Sequence, residues 1–188
     1  MVTIGSFTIL SVDGYFSGPN GEIDWFKNQD EEDRKFACRS SQQASLFMLG
    51  RTTYELMASY WPTAMAQKND PVVAKVMNDT PKIVFSKTML PVSNGPVWKN
   101  VTVKKEINRD EILQIKERAK GPITILGSGS VVRQFADLGL IDEFGFMIVP
   151  VLLGTGKCLF GNIHRKGLRL TDANLFKNGK VYLKYEAE

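Results

Sequence analysis

Histidine and cysteine are almost missing from this chain, which has one His and two Cys among 188 residues. Cys38 and Cys158 are 120 positions apart, so neither a C-x-x-C redox pair nor a zinc-ribbon spacing exists. His164 alone cannot build a His-rich metal centre, and no metal is expected. Its neighbours Arg165 and Lys166 mark it as a surface-loop residue and not a catalytic base. Two cysteines without a disulfide framework fit a reducing compartment, so the expected location is cytoplasmic. No run approaches the roughly 18 apolar residues of a membrane span, so no membrane partner is expected. Residues 1–10 lack a basic flank and meet Asp13-Gly14 at once, so they read as a strand and not a signal peptide. Internal repeats, low-complexity tracts and linkers are absent, and no G-x-x-x-x-G-K-[ST] phosphate loop occurs.

What is present is a globular composition, 43% hydrophobic and 23% charged with 16 Gly. At roughly 100–200 residues per domain, the length predicts a single domain over residues 1–188. Such a chain buries about two-thirds of its unfolded surface and needs no staple to fold. The net charge is +4 but uneven. Residues 1–94 hold 9 basic and 10 acidic groups, and residues 95–188 hold 15 and 10. No basic face or basic-aromatic platform stands out, so the surplus reads as solvated surface or a small phosphate-bearing ligand, and no nucleic acid is expected.

Hydrophobic patterning predicts strands over residues 2–10, 45–49, 82–86, 97–103, 123–126, 141–149, 168–176 and 180–185. Asn178-Gly179 marks the last pair as a hairpin. Helices are predicted from the acidic run at 30–33 to about 44, and after Gly50-Arg51, where Thr52…Glu55 has the spacing of a capping box. Others follow Asp70-Pro71 and Asn108…Glu111, and the stripe Val131, Val132, Phe135 and Leu138, closed by Gly139. Strands and helices interleave through the first 150 residues. The prediction is an α/β fold: about eight strands, mostly parallel, with flanking helices and an antiparallel C-terminal hairpin. Ligands of such sheets bind beyond the carboxyl ends of the strands.

Two strand-to-helix junctions look suited to anions. At Gly50-Arg51-Thr52-Thr53 a helix N-terminus offers free N–H groups, Arg51 a planar fork of donors, and the threonines hydroxyls. An ordinary capped helix beside an exposed arginine explains the same residues equally well. At Gly127-Ser128-Gly129-Ser130 two glycines permit close backbone approach, although a tight βα turn needs the same residues. As a dinucleotide fingerprint this stretch fails, because position 132 is Val where a third Gly belongs. A third feature is the long loop 11–25, with Asp13-Gly14, Gly18 and Gly21. Trp25-Phe26 can stack on a flat ring or simply anchor the loop. Six of the ten acids in the first half lie between Glu22 and Asp33; such a run is usually a solvated helix start, and one member can serve as a proton donor.

In order and spacing these segments resemble the dihydrofolate reductase-like superfamily over nearly the whole chain. Gly50-Arg51-Thr52-Thr53-Tyr54-Glu55 is similar to the G-R-x-T-[WY]-E motif of folate reductases. Ile83-Val84-Phe85-Ser86-Lys87 resembles their next strand, and Leu126-Gly127-Ser128-Gly129-Ser130-Val131 their glycine-rich turn. Ser11-Val12-Asp13-Gly14, Gly139-Leu140-Ile141-Asp142-Glu143 and Pro150-Val151-Leu152-Leu153-Gly154 resemble the riboflavin-biosynthesis reductase branch.

The resemblance implies an NADPH-dependent reductase that passes a hydride to a small heterocyclic or ribosylamino-pyrimidine-like substrate. It implies that Arg51, Ser86 and Lys87 hold the adenosine 2′-phosphate. Gly50, Thr52 and Thr53 would lie near the phosphates, and Gly127, Ser128, Gly129, Ser130 and Val131 under the pyrophosphate. Val12, Gly14 and Gly21, in the covering loop, would lie over the nicotinamide. Asp13 would orient substrate or loop, Trp25 would contact substrate, and Asp33 is the carboxylate nearest the position of the folate-reductase acid. A homodimer is expected from the resemblance and from the apolar C-terminal strands. The competing readings are a non-catalytic module for a pyridine nucleotide or pterin-like ligand, and a true dihydrofolate reductase.

Overall fold

A computed structural model describes residues 2–26, 30–89, 98–161 and 163–188. Its centre is an eight-stranded sheet of order β5-β4-β3-β6-β1-β7-β10-β9. The strands are β1 (Ile4–Ser11), β3 (Leu46–Gly50), β4 (Lys82–Phe85), β5 (Val101–Lys104), β6 (Ile123–Gly127), β7 (Glu143–Val149), β9 (Leu168–Leu175) and β10 (Val181–Ala187). Two short strands, β2 (Tyr15–Ser17) and β8 (Lys157–Cys158), pair apart from it. The helices are α1 (Glu31–Ser41), α2 (Arg51–Ala58), α3 (Ala64–Asn69), α4 (Pro71–Asp79), α5 (Arg109–Arg118) and α6 (Gly129–Asp137).

The first six strands of the large sheet are mutually parallel, so all their carboxyl ends lie along one edge. β10 then runs antiparallel to β7, and β9 antiparallel to β10, closing on Asn178-Gly179 with Gly179 at φ 84. The predicted α/β class, strand number and C-terminal hairpin all appear. The interleaved pattern explains why: a parallel neighbour requires a crossover, and here helices supply most of them.

Apolar alternation along the strands makes a core on each face. One joins Ile4, Ile123 and Ile125 to Ile112 of α5 and to Val132 and Phe135 of α6. The other joins Phe47, Leu49 and Val84 to Tyr54 of α2, Met77 of α4 and Trp98. Each such side chain taken fully from water contributes about 1.5–3 kcal/mol.

Several local expectations are corrected. The Thr52…Glu55 capping box does not form: Gly50 is the N-cap, no side chain caps α2, and Glu55 pairs instead with Arg51 at 2.9 Å. The box appears one helix earlier, between Asp30 and Asp33. α1 stops at Ser41, short of residue 44. The strand expected over 97–103 is Val101–Lys104, with Trp98 to Asn100 in bends and position 97 outside the described residues. Leu138 is 39% exposed because it is the C-cap of α6 rather than part of its buried stripe. β2 lies inside the expected loop, and α3 and β8 were not anticipated. No helix among the described residues is long and apolar enough to cross a membrane.

Candidate active site at the carboxyl edge of the sheet

The two glycine junctions are neighbours. β3 lies between β4 and β6, so the N-terminus of α2, after β3, adjoins that of α6, after β6. The chains touch at backbone level. A Cβ on Gly50 would stand 2.6 Å from the Ser128 hydroxyl and 3.1 Å from Val131. A Cβ on Gly127, which has φ 114, would stand 3.2 Å from the Thr53 hydroxyl. β6 skips Leu126 in its pairing with β3, so Leu49 faces Gly127, and the Gly127–Ser128 peptide is cis. Neither helix has a side-chain cap at its N-cap residue, Gly50 or Ser128. First-turn N–H groups of both helices thus lie side by side, the electrostatic setting that favours an anion. The Ser128 and Ser130 hydroxyls bond each other at 2.8 Å beside them, and Thr52 and Ser130 are exposed.

On the β4 side, Arg51 Nη1 donates to Thr88 Oγ1 at 2.8 Å while Arg51 Nε pairs with Glu55. Both ion-pair partners are about half exposed, so the guanidinium is held in place yet open to solvent. Ser86 is buried, and its hydroxyl accepts from the Thr88 and Met89 amides at 3.3 and 2.9 Å, shaping the turn that presents exposed Lys87. Arg51, Ser86 and Lys87 therefore share one corner, organised by Thr88, which sequence reasoning missed. Nothing in a single Thr signals such a bond across 37 positions.

On the β1 side, the Asp13 carboxylate accepts the Leu153 amide at 3.2 Å and the Gly154 amide at 2.7 Å. Val12, itself exposed, donates its amide to Val151 at 3.0 Å. The loops after β1 and β7 are thus tied together. The Ser11 hydroxyl foremost, and then these amides, hold the Asp13 carboxyl below the usual carboxylate range. Gly14 and Gly21 take φ 84 and 96, conformations open to glycine. Trp25 stacks edge-on against Phe26, centroids 4.8 Å apart, and its indole N–H reaches the Glu22 carbonyl at 3.3 Å.

Phe16 of β2 covers the start of α6: a Cβ on Gly129 would stand 2.5 Å from its ring. Arg133 of α6 in turn donates to the Leu159 and Cys158 carbonyls at 3.1 and 2.8 Å, holding β8. Phe16 and Arg133 escaped the sequence reading because neither belongs to a recognisable motif.

Asp33 lies at the same edge but is fully engaged. It is buried, and its Oδ2 accepts from the Asp30 amide at 3.2 Å, Asn178 Nδ2 at 3.0 Å and Lys180 Nζ at 2.5 Å. It ties the start of α1 to the β9–β10 turn. The signal was the Asn178-Gly179-Lys180 turn, which reads as hairpin chemistry only.

The whole chain is similar to known proteins. A family model described as the RibD C-terminal domain matches residues 2–184. The uncharacterized protein YyaP of Bacillus subtilis (strain 168) is 29% identical over 178 residues, covering 94% of this chain and 90% of YyaP. The crystal structure of a pyrimidine reductase-like protein from Corynebacterium diphtheriae superimposes with TM-score 0.69 at 18% identity, over 100% of this chain and 92% of that one. Dihydrofolate reductase from Enterococcus faecalis, complexed with NADP(H), superimposes with TM-score 0.60 at 16% identity, over 99% and 96% of the two chains. Sheet order, the paired helix junctions and a match over nearly every residue lead to one statement: this chain belongs to the RibD C-terminal domain family.

Proposed function

We propose that the chain is an NADPH-dependent reductase acting on a small, flat heterocyclic or ribosylamino-pyrimidine-like substrate. The observation that carries this reading is the abutment of the α2 and α6 N-termini, with Arg51 and Lys87 at their flank. The residues fit the cofactor: glycine at positions 50 and 127 lets the starts of α2 and α6 abut, which brings the uncapped first-turn N–H groups of both helices together. A diphosphate would be held by Gly50, Thr52, Thr53 and residues 127–131. The 2′-phosphate would be held by Arg51 and Lys87 beside Ser86. When bound, NADPH supplies the hydride.

The chain's own residues bind, orient and exclude water. Asp13, ionised at neutral pH, ties the loop after β1 to the loop after β7. We assign it, like Asp33, to positioning, and the reaction's proton to water. Val12, Gly14 and Gly21 shape the covering loop, with Trp25 at its far end.

Titration of the protein's tryptophan fluorescence with NADPH and with NADH tests the reading. NADPH is expected to bind at least about 10-fold more tightly, and Arg51→Ala to remove most of that preference, since a charge-assisted bond contributes about 1.5–3 kcal/mol. Equal affinity for both in the unmutated protein overturns the 2′-phosphate assignment.

The engagement of both Asp13 and Asp33 favours a second reading, a module that holds the cofactor without turnover. Tight NADPH binding without oxidation in the presence of dihydrofolate, the ribosylamino-pyrimidine or simple aldehydes would select it.

A further inference from the structure

Arg51 is drawn in two directions. Its Nε pairs with Glu55, one turn further along α2, at 2.9 Å. Its Nη1 donates to Thr88 Oγ1, across in the turn after β4, at 2.8 Å. A guanidinium carries more donors than these two bonds use. The rest meet no partner among the described residues.

The two partners have opposite consequences. Glu55 is a carboxylate, and a carboxylate favours a two-point grip on one edge of the guanidinium. Such a grip would engage the fork on α2 itself and turn it along the helix, away from the corner shared with Lys87. Thr88 offers a neutral hydroxyl, which takes a single N–H. It draws Nη1 from α2 towards the β4 turn and leaves the remaining donors open.

Thr88 is itself held. The hydroxyl of buried Ser86 accepts from the Thr88 amide at 3.3 Å and from the Met89 amide at 2.9 Å. A serine hydroxyl that accepts from amides just downstream fixes the turn it begins. The Ser86 amide in turn donates to the Lys104 carbonyl of β5 at 2.9 Å. The acceptor for Arg51 is therefore anchored to the sheet through Ser86.

We propose that Thr88 sets the preference for a 2′-phosphorylated cofactor by holding the Arg51 guanidinium in its receiving orientation. It is a positioning residue that acts through Arg51. This role rests on the NADPH reading above. Without the Thr88 hydroxyl, Arg51 keeps its charge but closes on Glu55, and the phosphate meets a neutralised pair in place of an open fork. Affinity for NADH, which lacks that phosphate, is untouched.

Titration of the full chain's tryptophan fluorescence with NADPH and NADH tests the role, with Thr88→Val removing the acceptor at nearly constant volume. Position 88 is exposed, so circular dichroism and the urea midpoint are expected to stay unchanged. NADPH affinity is expected to fall by about 2- to 10-fold, the range that one hydrogen bond spans, with NADH affinity constant. Thr88→Ser, which keeps the hydroxyl, is expected to bind both as the unmutated chain does. In an Arg51→Ala background Thr88→Val should change neither affinity, because the residue it positions is gone. An unmutated chain without preference for NADPH overturns the 2′-phosphate assignment, and this role with it. A preference that survives Thr88→Val, an equal loss for both cofactors, a loss also seen with Thr88→Ser, or a loss that persists in the Arg51→Ala background overturns the role of Thr88 alone.

Discussion

Lys82 shows what a single buried charge does in this fold. It is 1% exposed at the start of β4, with its Nζ bonded to the Thr80, Asn78 and Lys99 carbonyls at 2.6, 3.2 and 3.4 Å. Its ammonium also lies 4.6 Å above the Trp98 ring. Carbonyl dipoles and a ring face soften the loss of water without cancelling it, and burial pulls the amine down to about 8. The folded amine therefore releases its proton before the unfolded one does. Between pH 8 and the unfolded value near 10.4 the unfolded chain binds more protons, so stability rises with pH there. Urea denaturation should show a gain of about 1–2 kcal/mol between pH 7.5 and 9.5, and Lys82→Met should abolish that slope. Asp33 makes the opposite case, a buried carboxylate matched by Lys180. Asp33→Asn is expected to lower stability by about 3 kcal/mol, read as a shift in urea midpoint at unchanged slope. Neither environment was legible in the sequence. Lys82 reads as a strand's polar first residue, and Asp33 as one acid in a solvated run, because their partners lie on other elements.

Elements were more legible than their ends. Period-two and period-3.6 patterns are local, so the eight strands of the large sheet and most helices could be placed from the sequence. Caps depend on which side chain turns inward, and there the Thr52…Glu55 spacing misled: Arg51 competes for Glu55, and close contact with Ser128 requires glycine at position 50. That contact also gives an element-scale prediction. Gly50→Ala must push apart the starts of α2 and α6, and should cost about 1–3 kcal/mol in stability while weakening NADPH binding. The loops after β1 and β7 answer to Asp13 in the same way. Asp13→Ala should raise hydrogen exchange at the Leu153 and Gly154 amides while leaving the β1 and β7 ladders protected. β2, β8 and α3 were missed for want of length, since two to six residues carry too little periodicity to register.

At the scale of the whole molecule, the order of motifs was more informative than any one of them. Each glycine junction alone is ambiguous; side by side across β3 and β6 they form one candidate site, and only the fold supplies that adjacency. The hairpin of β9 and β10 was legible as apolar strands, whereas its bulge required the register. The two-stranded β2–β8 sheet has a consequence of its own. Phe16 of β2 rests on Gly129, and Arg133 grips the carbonyls of Cys158 and Leu159 on the β8 side. Both anchors belong to α6, so the small sheet is pinned to that helix at two points. It cannot swing as a hinged flap while both clasps hold. Any excursion of β2 must either unfasten a clasp or carry the first turns of α6 along.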